Sequence, residues 1–301
     1  ILASLGAGFG AINSSLLIGG LVLAAAAAAG LFKHLQRLFT PRVITVVLIL
    51  IALTLAPVIL DLMLDGGTVP STHTFAFALV FALGLFIANG LLKGIWRSTL
   101  ALWAIIIGTL AYAALFGAVP VTQEGAVLLA LPSSILAPLA VPDVGVLAAF
   151  LICFLALAIN DLGSIQSVGG LLSADDMDQR TRRGVTVTGL GNSLAGITGV
   201  IGPVNFSLSP GVIAATRCAS RYALVPMGVM LLLMSLSPLI IGYMSSIPGP
   251  VIGVVLAFVM AAQISAGLML GQQNSAVRTF DEGLIIGVPL LLGLGHQRFV
   301  V

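Results

Sequence analysis

Charged residues are scarce in this sequence. Asp, Glu, Lys and Arg together make up 7% of its 301 residues, whereas a soluble globular domain carries roughly 25%. So few charged side chains cannot cover a soluble surface of this size. A lipid environment reverses the demand, because a charge at the centre of a bilayer costs roughly 2.5–3.5 kcal/mol on insertion scales. The shortage of charge therefore excludes an ordinary soluble domain.

The sequence is also poor in residues that form disulfides or bind metals. Its two cysteines, Cys153 and Cys218, lie in or beside apolar runs, and the spacing of its three histidines suggests no metal site. We expect neither a disulfide framework nor a metal cluster. No phosphate-binding loop and no hydrolase or protease motif is present, so we predict no cofactor and no enzymatic activity. Basic residues are scattered and the net charge is only +2, which argues against nucleic-acid binding.

Apolar sequence is abundant. Hydrophobic residues account for 59% of the chain, and the mean hydropathy is +1.20. A helix needs about 20 apolar residues to cross the hydrocarbon core, and runs near this length recur, which predicts an all-α, polytopic membrane protein. The predicted spans or part-spans are Leu16–Phe32, Val43–Leu60, Thr74–Leu92, Ser98–Gly117, Val144–Ser167, Gly184–Ile201, Gly211–Thr216, Ala223–Tyr243, Val251–Leu270 and Gly283–Gly295. The proline-containing segment Ala118–Asp143 is expected to lie along the surface.

The short connectors between these spans carry the basic residues. When the connectors are numbered alternately, 11 of the 12 Lys and Arg residues fall on one face, and Arg298 is the exception. Cytoplasmic loops of membrane proteins are enriched in Lys and Arg. We therefore predict an integral membrane protein of the bacterial inner (plasma) membrane, with its basic connectors in the cytoplasm.

Two stretches resist interpretation as continuous helix. They are Gly6–Ser15 and Gly199–Gly211, each rich in Gly, Ser, Asn or Pro and each followed by an apolar run. Irregular backbone at membrane depth is tolerated only where protein buries it or it lines a cavity. Paired broken segments in two halves of a chain indicate a transporter binding site, so both are predicted to contribute half-helices to one.

A short repeat supports two halves. Val43–Leu48 (VITVVL) matches Val251–Leu256 (VIGVVL) 208 residues later. Each hexamer follows a proline-containing turn and comes one helix after a broken segment. The connector count has the two hexamers leaving opposite faces of the membrane, which predicts inverted repeats.

Asp161 is the most distinctive residue. It is the only formally charged side chain placed well inside a predicted span, where such residues usually face a cavity or a partner. Asn160, Ser164 and Ser167 are spaced four and three residues apart, so they share one helix face, and Asp161 lies at the edge of that face. One interpretation is a substrate-binding face with Asp161 as a proton or cation site. The other is a structural cap or an interhelical hydrogen bond.

The second broken segment offers further polar groups. Pro210-Gly211 is predicted to open a half-helix whose first amides carry the positive end of the helix dipole. Asn205, Ser207 and Ser209 are candidate polar contacts. Phe206, or Phe9 in the first broken segment, could stack on a planar ring, although ordinary packing is the alternative for both aromatics.

Three stretches resemble the nucleobase–ascorbate transporter family, the second group of nucleobase:cation symporters, which includes uracil and xanthine permeases. They are Leu38–Val58, Gly189–Arg221 with its G-V-x-A-x-T-R pattern at Gly211–Arg217, and Ser246–Leu256. The resemblance implies fourteen segments in two inverted repeats, divided into a core that carries substrate and a gate that dimerises. On that register this chain would lack the first two segments and the last.

The resemblance also implies domain boundaries. Residues 1–32 and 144–243 would belong to the core, and residues 33–143 and 244–301 to the gate. Transport would be elevator-like, with the core sliding against the gate. The partners implied are a nucleobase-like molecule, the lipid bilayer, a proton or sodium ion, and a second copy bound through the gate.

Site residues carried over by the resemblance differ from the usual ones. The family's eighth helix commonly holds a Glu that binds the nucleobase, and the resemblance assigns its position to Asn160, with Asp161 beside it. Leu208 stands where the tenth segment often has Glu or Gln. Ala11 corresponds to an aromatic of the third segment. The expected substrate contacts are Asn160, Ser164, Phe9, Ala11, Phe206, Ser207, Leu208 and Ser209, with Asp161 coupling transport to a proton or cation.

Three functions remain open from the sequence. The first is a secondary transporter for a nucleobase-like heterocycle such as uracil or xanthine. The second is an anion transporter of the sulfate-permease type on the same architecture, which the neutral Asn160 and Leu208 would suit. The third is a membrane scaffold or channel without alternating access.

Overall fold

The computed structural model describes residues 8–33, 39–67, 69–117, 128–131, 134–142, 144–204, 209–274 and 277–297. Within these ranges the chain is helical, with short turns and no β-strand. In chain order the helices are α1 (Phe9–Ala28), α2 (Pro41–Thr54), α3 (Ala56–Leu64), α4 (Ser71–Leu91), α5 (Ile95–Ser98), α6 (Leu100–Phe116), α7 (Val144–Leu172), α8 (Met177–Thr198), α9 (Ser209–Thr216), α10 (Leu224–Ser235), α11 (Pro238–Ser245), α12 (Gly249–Gln273) and α13 (Phe280–Gln297).

Several of these helices are long and apolar enough to cross a bilayer. Within the described ranges there are five: α1, α2 and α3 taken together, α4, α7 and α12. A sixth arises if α9 and the segment Arg221–Ser235, which meet at a bend of 109°, count as one broken span. Large apolar side chains such as Val80 and Leu232 are exposed, as lipid-facing residues must be. The prediction of a polytopic all-α membrane protein is confirmed.

The chain divides into two compact units. The first unit contains Ile1–Ile49, Pro132–Pro210 and Gly267–Leu292, and the second contains Leu50–Leu131, Gly211–Ala266 and Gly293–Val301.

In the first unit, α1 and α8 lie directly against each other. A Cβ atom on Gly20 would come within 2.6 Å of the Gly189 carbonyl and the Ser193 amide nitrogen. The Ser193 hydroxyl donates to the Leu17 carbonyl at 3.2 Å. Small residues at a four-residue spacing allow such close approach between membrane helices. α7 covers this pair, and the three helices share a core of Leu23, Ala27, Phe154, Ala158, Leu162 and Val185.

The second unit is packed with aromatic rings. Phe77 of α4 stacks on Phe81, and Phe77 meets Tyr112 and Phe116 of α6 edge-on, with ring centroids 5.4–6.1 Å apart. The start of α12 lies against α3, where a Cβ on Gly253 would approach the Ile59 carbonyl at 3.1 Å.

One predicted interruption is wrong over its described residues. Gly6–Ser15 was expected to be irregular, but α1 runs unbroken from Phe9. The stretch contains no proline, and the Ser15 hydroxyl donates to the Ala11 carbonyl within the same helix at 2.8 Å. Serine often disfavours a helix because its hydroxyl competes for backbone hydrogen bonds. The Ser15 hydroxyl instead bonds within α1 and leaves the helix continuous.

The second predicted interruption is confirmed over its described residues. α8 ends at Thr198, because Gly199 adopts a left-handed conformation with φ of 68°. Residues 201–204 are irregular, and helix resumes at Ser209. The predicted span Ala223–Tyr243 is also broken, because Pro238 lacks an amide hydrogen and starts α11 afresh, with Ser237 capping the Ile240 amide at 3.5 Å. The described residues of Ala118–Asp143 are non-helical and largely exposed, as expected.

Candidate functional site

Helix α7 carries the polar residues that the sequence analysis singled out. Asp161 is 0% exposed and Ser164 is 6% exposed, whereas Asn160 is half-buried. The helix has no proline over its 29 residues, so it holds these groups on a rigid element. A carboxyl group removed from solvent within an apolar span is costly, which marks Asp161 as a functional candidate.

A cavity of about 260 Å³ lies at the end of α7 in the first unit. Two predicted substrate contacts meet there: Ser164 from α7 and Ser209 from the first turn of α9. These serines are 45 residues apart in the sequence, and they lie on either side of the interruption after α8. Its other wall residues include Ile165, Val168, Met177 and Arg180.

Helical geometry relates Asp161 to this cavity. Ser164, Ile165 and Val168 line it, and they follow Asp161 by three, four and seven residues. Residues at those spacings share one helix face. Asp161 therefore lies on the cavity face of α7, one turn before the first lining residue and fully buried.

The predicted polar face of α7 is only partly the one that lines the cavity. Ser167 donates to the Gly163 carbonyl of its own helix at 2.6 Å, so its hydroxyl serves the backbone. Of the predicted polar residues of α7, Ser164 is among the described residues that line the cavity, whereas Asn160, Asp161 and Ser167 are not.

Asn192 is a residue that the sequence analysis missed. Its side-chain amide donates to the Thr188 carbonyl at 2.9 Å and to the Pro203 carbonyl at 2.8 Å, and the residue is 3% exposed. It thereby fastens the irregular residues after α8 to that helix. Gly202 lies against the Asn192 amide so closely that a Cβ there would overlap it. The available signal was an Asn within the small-residue run GLGNS, ten residues before a Gly-Pro pair.

The remaining predicted contacts fall into two groups. Phe9 is 77% exposed and Ala11 is half-buried, and neither is among the described lining residues. Phe206, Ser207, Leu208 and the neighbouring Asn205 lie outside the described residues.

The cavity has a cationic side chain at its rim. Arg180, in the first turn of α8, lines the cavity and donates from Nε to the Asp175 carbonyl at 2.7 Å. The cavity wall therefore combines two hydroxyls and a guanidinium, and a buried carboxyl lies on the same face of α7 one turn away. Among the residues that the structure describes, no group of three His, Cys, Asp or Glu side chains could hold a metal ion.

An apolar helical bundle with an interrupted span beside a small cavity that carries a few polar side chains is typical of a membrane transport protein. A comparison with family models supports this class: a model described as a permease family, that of the xanthine and uracil permeases, matches residues 2–300. The chain belongs to this family, the nucleobase–ascorbate transporters. It is therefore grouped with transporters rather than enzymes.

Individual relatives agree with the family match. The nucleobase transporter PlUacP of Paenibacillus larvae is 28% identical over 96% of this chain and 66% of its own length. The xanthine permease XanQ of Escherichia coli K12 is 32% identical over 41% of this chain and 26% of its own length. A Clostridium perfringens protein, provisionally named a purine permease, is 29% identical over 87% of this chain.

The chain is shorter than these relatives. The matched region spans 58% of the Clostridium perfringens protein and 66% of the Paenibacillus larvae transporter. It thus covers about three fifths of the length of these two relatives.

Proposed function

We propose that this protein is a secondary active transporter that moves a nucleobase-like heterocycle, such as uracil or xanthine, across the bacterial inner membrane. The family match over residues 2–300 supports the transporter class, and the names of the relatives support the substrate class. Transport is of the elevator type and is coupled to protons or a cation.

The observation that carries the proposal is the meeting of Ser164, Ser209 and the Asp161 face around one cavity. Its volume of about 260 Å³ lies just below the range of roughly 300–1,000 Å³ usual for small-molecule pockets. A small planar ring suits such a space. Hydroxyl groups both donate and accept hydrogen bonds, so the two serines can pair with ring nitrogens or carbonyl oxygens.

Asp161 is assigned the coupling role. It is fully buried on the cavity face of α7, beside Asn160, to which the resemblance assigns the position of the family's nucleobase-binding Glu. A buried carboxyl that exchanges a proton with the cavity can link substrate binding to the proton gradient. Asn160 remains a proposed substrate contact at the edge of the same face.

The proposal also includes further substrate contacts, the two moving domains, dimerisation and the orientation in the membrane. Phe9, Ala11, Phe206, Ser207 and Leu208 remain proposed substrate contacts in the transported state. The core (1–32 and 144–243) and the gate (33–143 and 244–301) remain the proposed moving parts. Dimerisation through the gate and cytoplasmic placement of the basic connectors belong to the same proposal.

Uptake by the full-length protein in proteoliposomes tests the proposal. We expect saturable uptake of radiolabelled xanthine or uracil that an imposed proton or sodium gradient accelerates. Asp161→Asn should abolish the acceleration while leaving exchange of substrate across the membrane measurable. Asp178→Asn, at an exposed carboxylate 3.7 Å from Lys33, is the matched control and should retain gradient-driven uptake. Gradient-driven uptake in the Asp161→Asn variant would remove the coupling role.

One observation favours a second candidate. Arg180 at the cavity mouth would attract an anion, as expected of a sulfate-permease-type transporter. Competition decides between the two: excess unlabelled xanthine should suppress uptake, whereas excess sulfate or bicarbonate should not. Suppression by the inorganic anions alone would favour the anion transporter, and conductance without saturation would favour a channel. A scaffold would show neither transport nor thermal stabilisation by ligand.

A further inference from the structure

A second cavity adjoins the candidate site in the first unit. It has a volume of about 430 Å³ and lies among α2, the end of α7 and the end of α12. Its polar wall is made of Gln166, Ser173, Gln273 and Asn274, and its apolar wall includes Ile44 and Leu270. Three of these four polar residues carry side-chain amides, a composition that the first cavity does not share.

Amide side chains match the edges of a nitrogen heterocycle. Each amide carries a carbonyl acceptor and an N–H donor side by side. It can therefore pair with a neighbouring donor and acceptor on the edge of a ring. Apolar side chains such as Ile44 and Leu270 can cover the ring faces. The wall therefore has the chemistry that recognises a planar, hydrogen-bonding base.

Two of the amides are held in place. The Gln166 side chain donates from Nε2 to the hydroxyl of Thr181, a fully buried residue, at 3.4 Å. Asn274 donates from Nδ2 to the Leu270 carbonyl at 2.9 Å. A fixed amide loses little conformational freedom when a ligand binds, which favours binding.

The two cavities share part of their wall. Gly169, Ala174 and Met177 line both. The Met177 side chain lies over Gly169, where an added Cβ would come within 2.5 Å of its sulfur. Methionine is unbranched and changes rotamer readily, so this wall can open without movement of the backbone.

We propose that the amide-lined cavity is a second, vestibular site for the same planar heterocycle, from which substrate passes Met177 to reach Ser164 and Ser209. This inference rests on the proposed function. It adds a binding step on the side of the predicted cytoplasmic connectors, between bulk water and the candidate site.

Thiol protection in the full-length protein tests the vestibular site. Gln273→Cys is made in a background whose cysteines, Cys153 and Cys218 among them, are replaced by alanine. Its labelling by a maleimide should slow at least fivefold when xanthine is present at saturating concentration. Gln272→Cys is the matched control, because Gln272 is the adjacent residue but lines a different cavity. Its labelling should be unchanged by xanthine.

Uptake by the same vesicles separates the two hypotheses. Saturable xanthine uptake without protection at position 273 would overturn the vestibular site and leave the proposed function standing. Equal protection at positions 272 and 273 would also overturn it, because a general conformational change would then explain the effect. If the vesicles neither take up nor are protected by any purine or pyrimidine, the proposed function fails and the vestibular site fails with it.

Met177→Ala provides a second measurement. Removing the thioether should join the two cavities, so uptake of a bulkier N-substituted xanthine should rise at least fivefold relative to xanthine. An unchanged ratio, in a variant that still takes up xanthine, would contradict the role of Met177 as the partition.

Discussion

The helices of the two compact units are held together by different kinds of contact. In the first unit, α1 and α8 touch through Gly20, Gly189 and Gly196, with backbone atoms of one helix against the other and the Ser193 hydroxyl bridging them. In the second unit, α4 and α6 are held by the ring cluster around Phe77. The hydrophobic effect does not drive helices together within lipid, so the helices of both units associate through close packing.

The difference bears on where a site can form. Close backbone contact leaves small and polar residues at the first interface, and these continue into the buried Asn192 and the irregular residues after α8. The aromatic interface fills its space with apolar rings. The candidate cavity lies in the first unit, beside the tightly packed helices that hold its walls in position.

The largest effect is expected from Gly20→Ala at the α1–α8 crossing. The new methyl group would meet the Gly189 carbonyl and the Ser193 amide nitrogen at 2.6 Å, and both are backbone atoms that cannot rotate away. Overpacking of this kind costs roughly 1–3 kcal/mol or more, so we expect the upper end of that range. Thermal unfolding in detergent, followed by size-exclusion chromatography, measures it.

Gly84→Ala is the matched control for that substitution. Gly84 lies within α4, and a Cβ there would meet nothing within 4 Å. Alanine is the better helix former by about 1 kcal/mol, so this variant should be as stable as the wild type or slightly more so. Equal destabilisation by both substitutions would show that the close crossing does not hold the first unit together.

Asn192→Ala should have the next largest effect. It removes the hydrogen bonds to the Thr188 and Pro203 carbonyls, and each such bond contributes about 0.5–1.5 kcal/mol. The irregular segment should loosen, so we expect a higher KM for uptake together with a lower melting temperature. Thr198→Ala is the control, because within the described residues its hydroxyl donates to carbonyls of its own helix. An unchanged KM in the Asn192 variant would separate this anchor from the site.

Phe77→Leu probes the second unit. The variant keeps an apolar side chain but loses three ring contacts. Each aromatic pair contributes about 0.5–1.5 kcal/mol beyond buried area, and leucine recovers part of the packing, so we expect a loss of about 1 kcal/mol with unchanged KM. Phe75→Leu is the control, since no ring contact of Phe75 appears within the described chain. A raised KM in the Phe77 variant would contradict the assignment of the substrate site to the first unit alone.

The sequence predicted the helices well because the bilayer imposes one rule on each of them. Runs such as Val144–Ser167 and Val251–Leu270 needed only length and hydropathy to be recognised, and the corresponding helices α7 and α12 extend a little beyond them. The prediction failed at residues 9–15, where glycines and serines were taken as helix breakers. Tertiary packing against α8 turns those small residues into a contact surface, which composition alone does not reveal.

The candidate site was only partly predictable. Asp161 and Ser164 were identified because polar groups inside an apolar run are costly and therefore informative. Asn192 was missed because its role depends on the carbonyl of Pro203, eleven residues away across an irregular turn. The two cavities adjoin at Met177 because of how α7 and α8 pack against each other. No local sequence pattern predicts that packing.

The smallest effect is expected from Glu282, at the start of α13 and outside the predicted span that begins at Gly283. The Arg278 amide donates to its Oε2 at 2.8 Å and Arg42 donates to Oε1. The Arg278 hydrogen bond, reinforced by Arg42, lowers the pKa of Glu282 below its usual value. Because the pKa is lower in the folded state, the stabilisation is fully present above the ordinary pKa of about 4.3 and is lost as the pH falls through the lowered value.

Glu282→Gln should therefore lower the melting temperature slightly at pH 7, and the gap from wild type should close as the pH falls below 4. The neutral amide can still accept the Arg278 hydrogen bond, so the part that remains pH-dependent reports the charge. Asp281→Asn, at the exposed neighbour in the same first turn, is the control and should show a smaller pH dependence. A gap that persists unchanged at low pH would assign the contribution of Glu282 to hydrogen bonding and packing rather than to its charge.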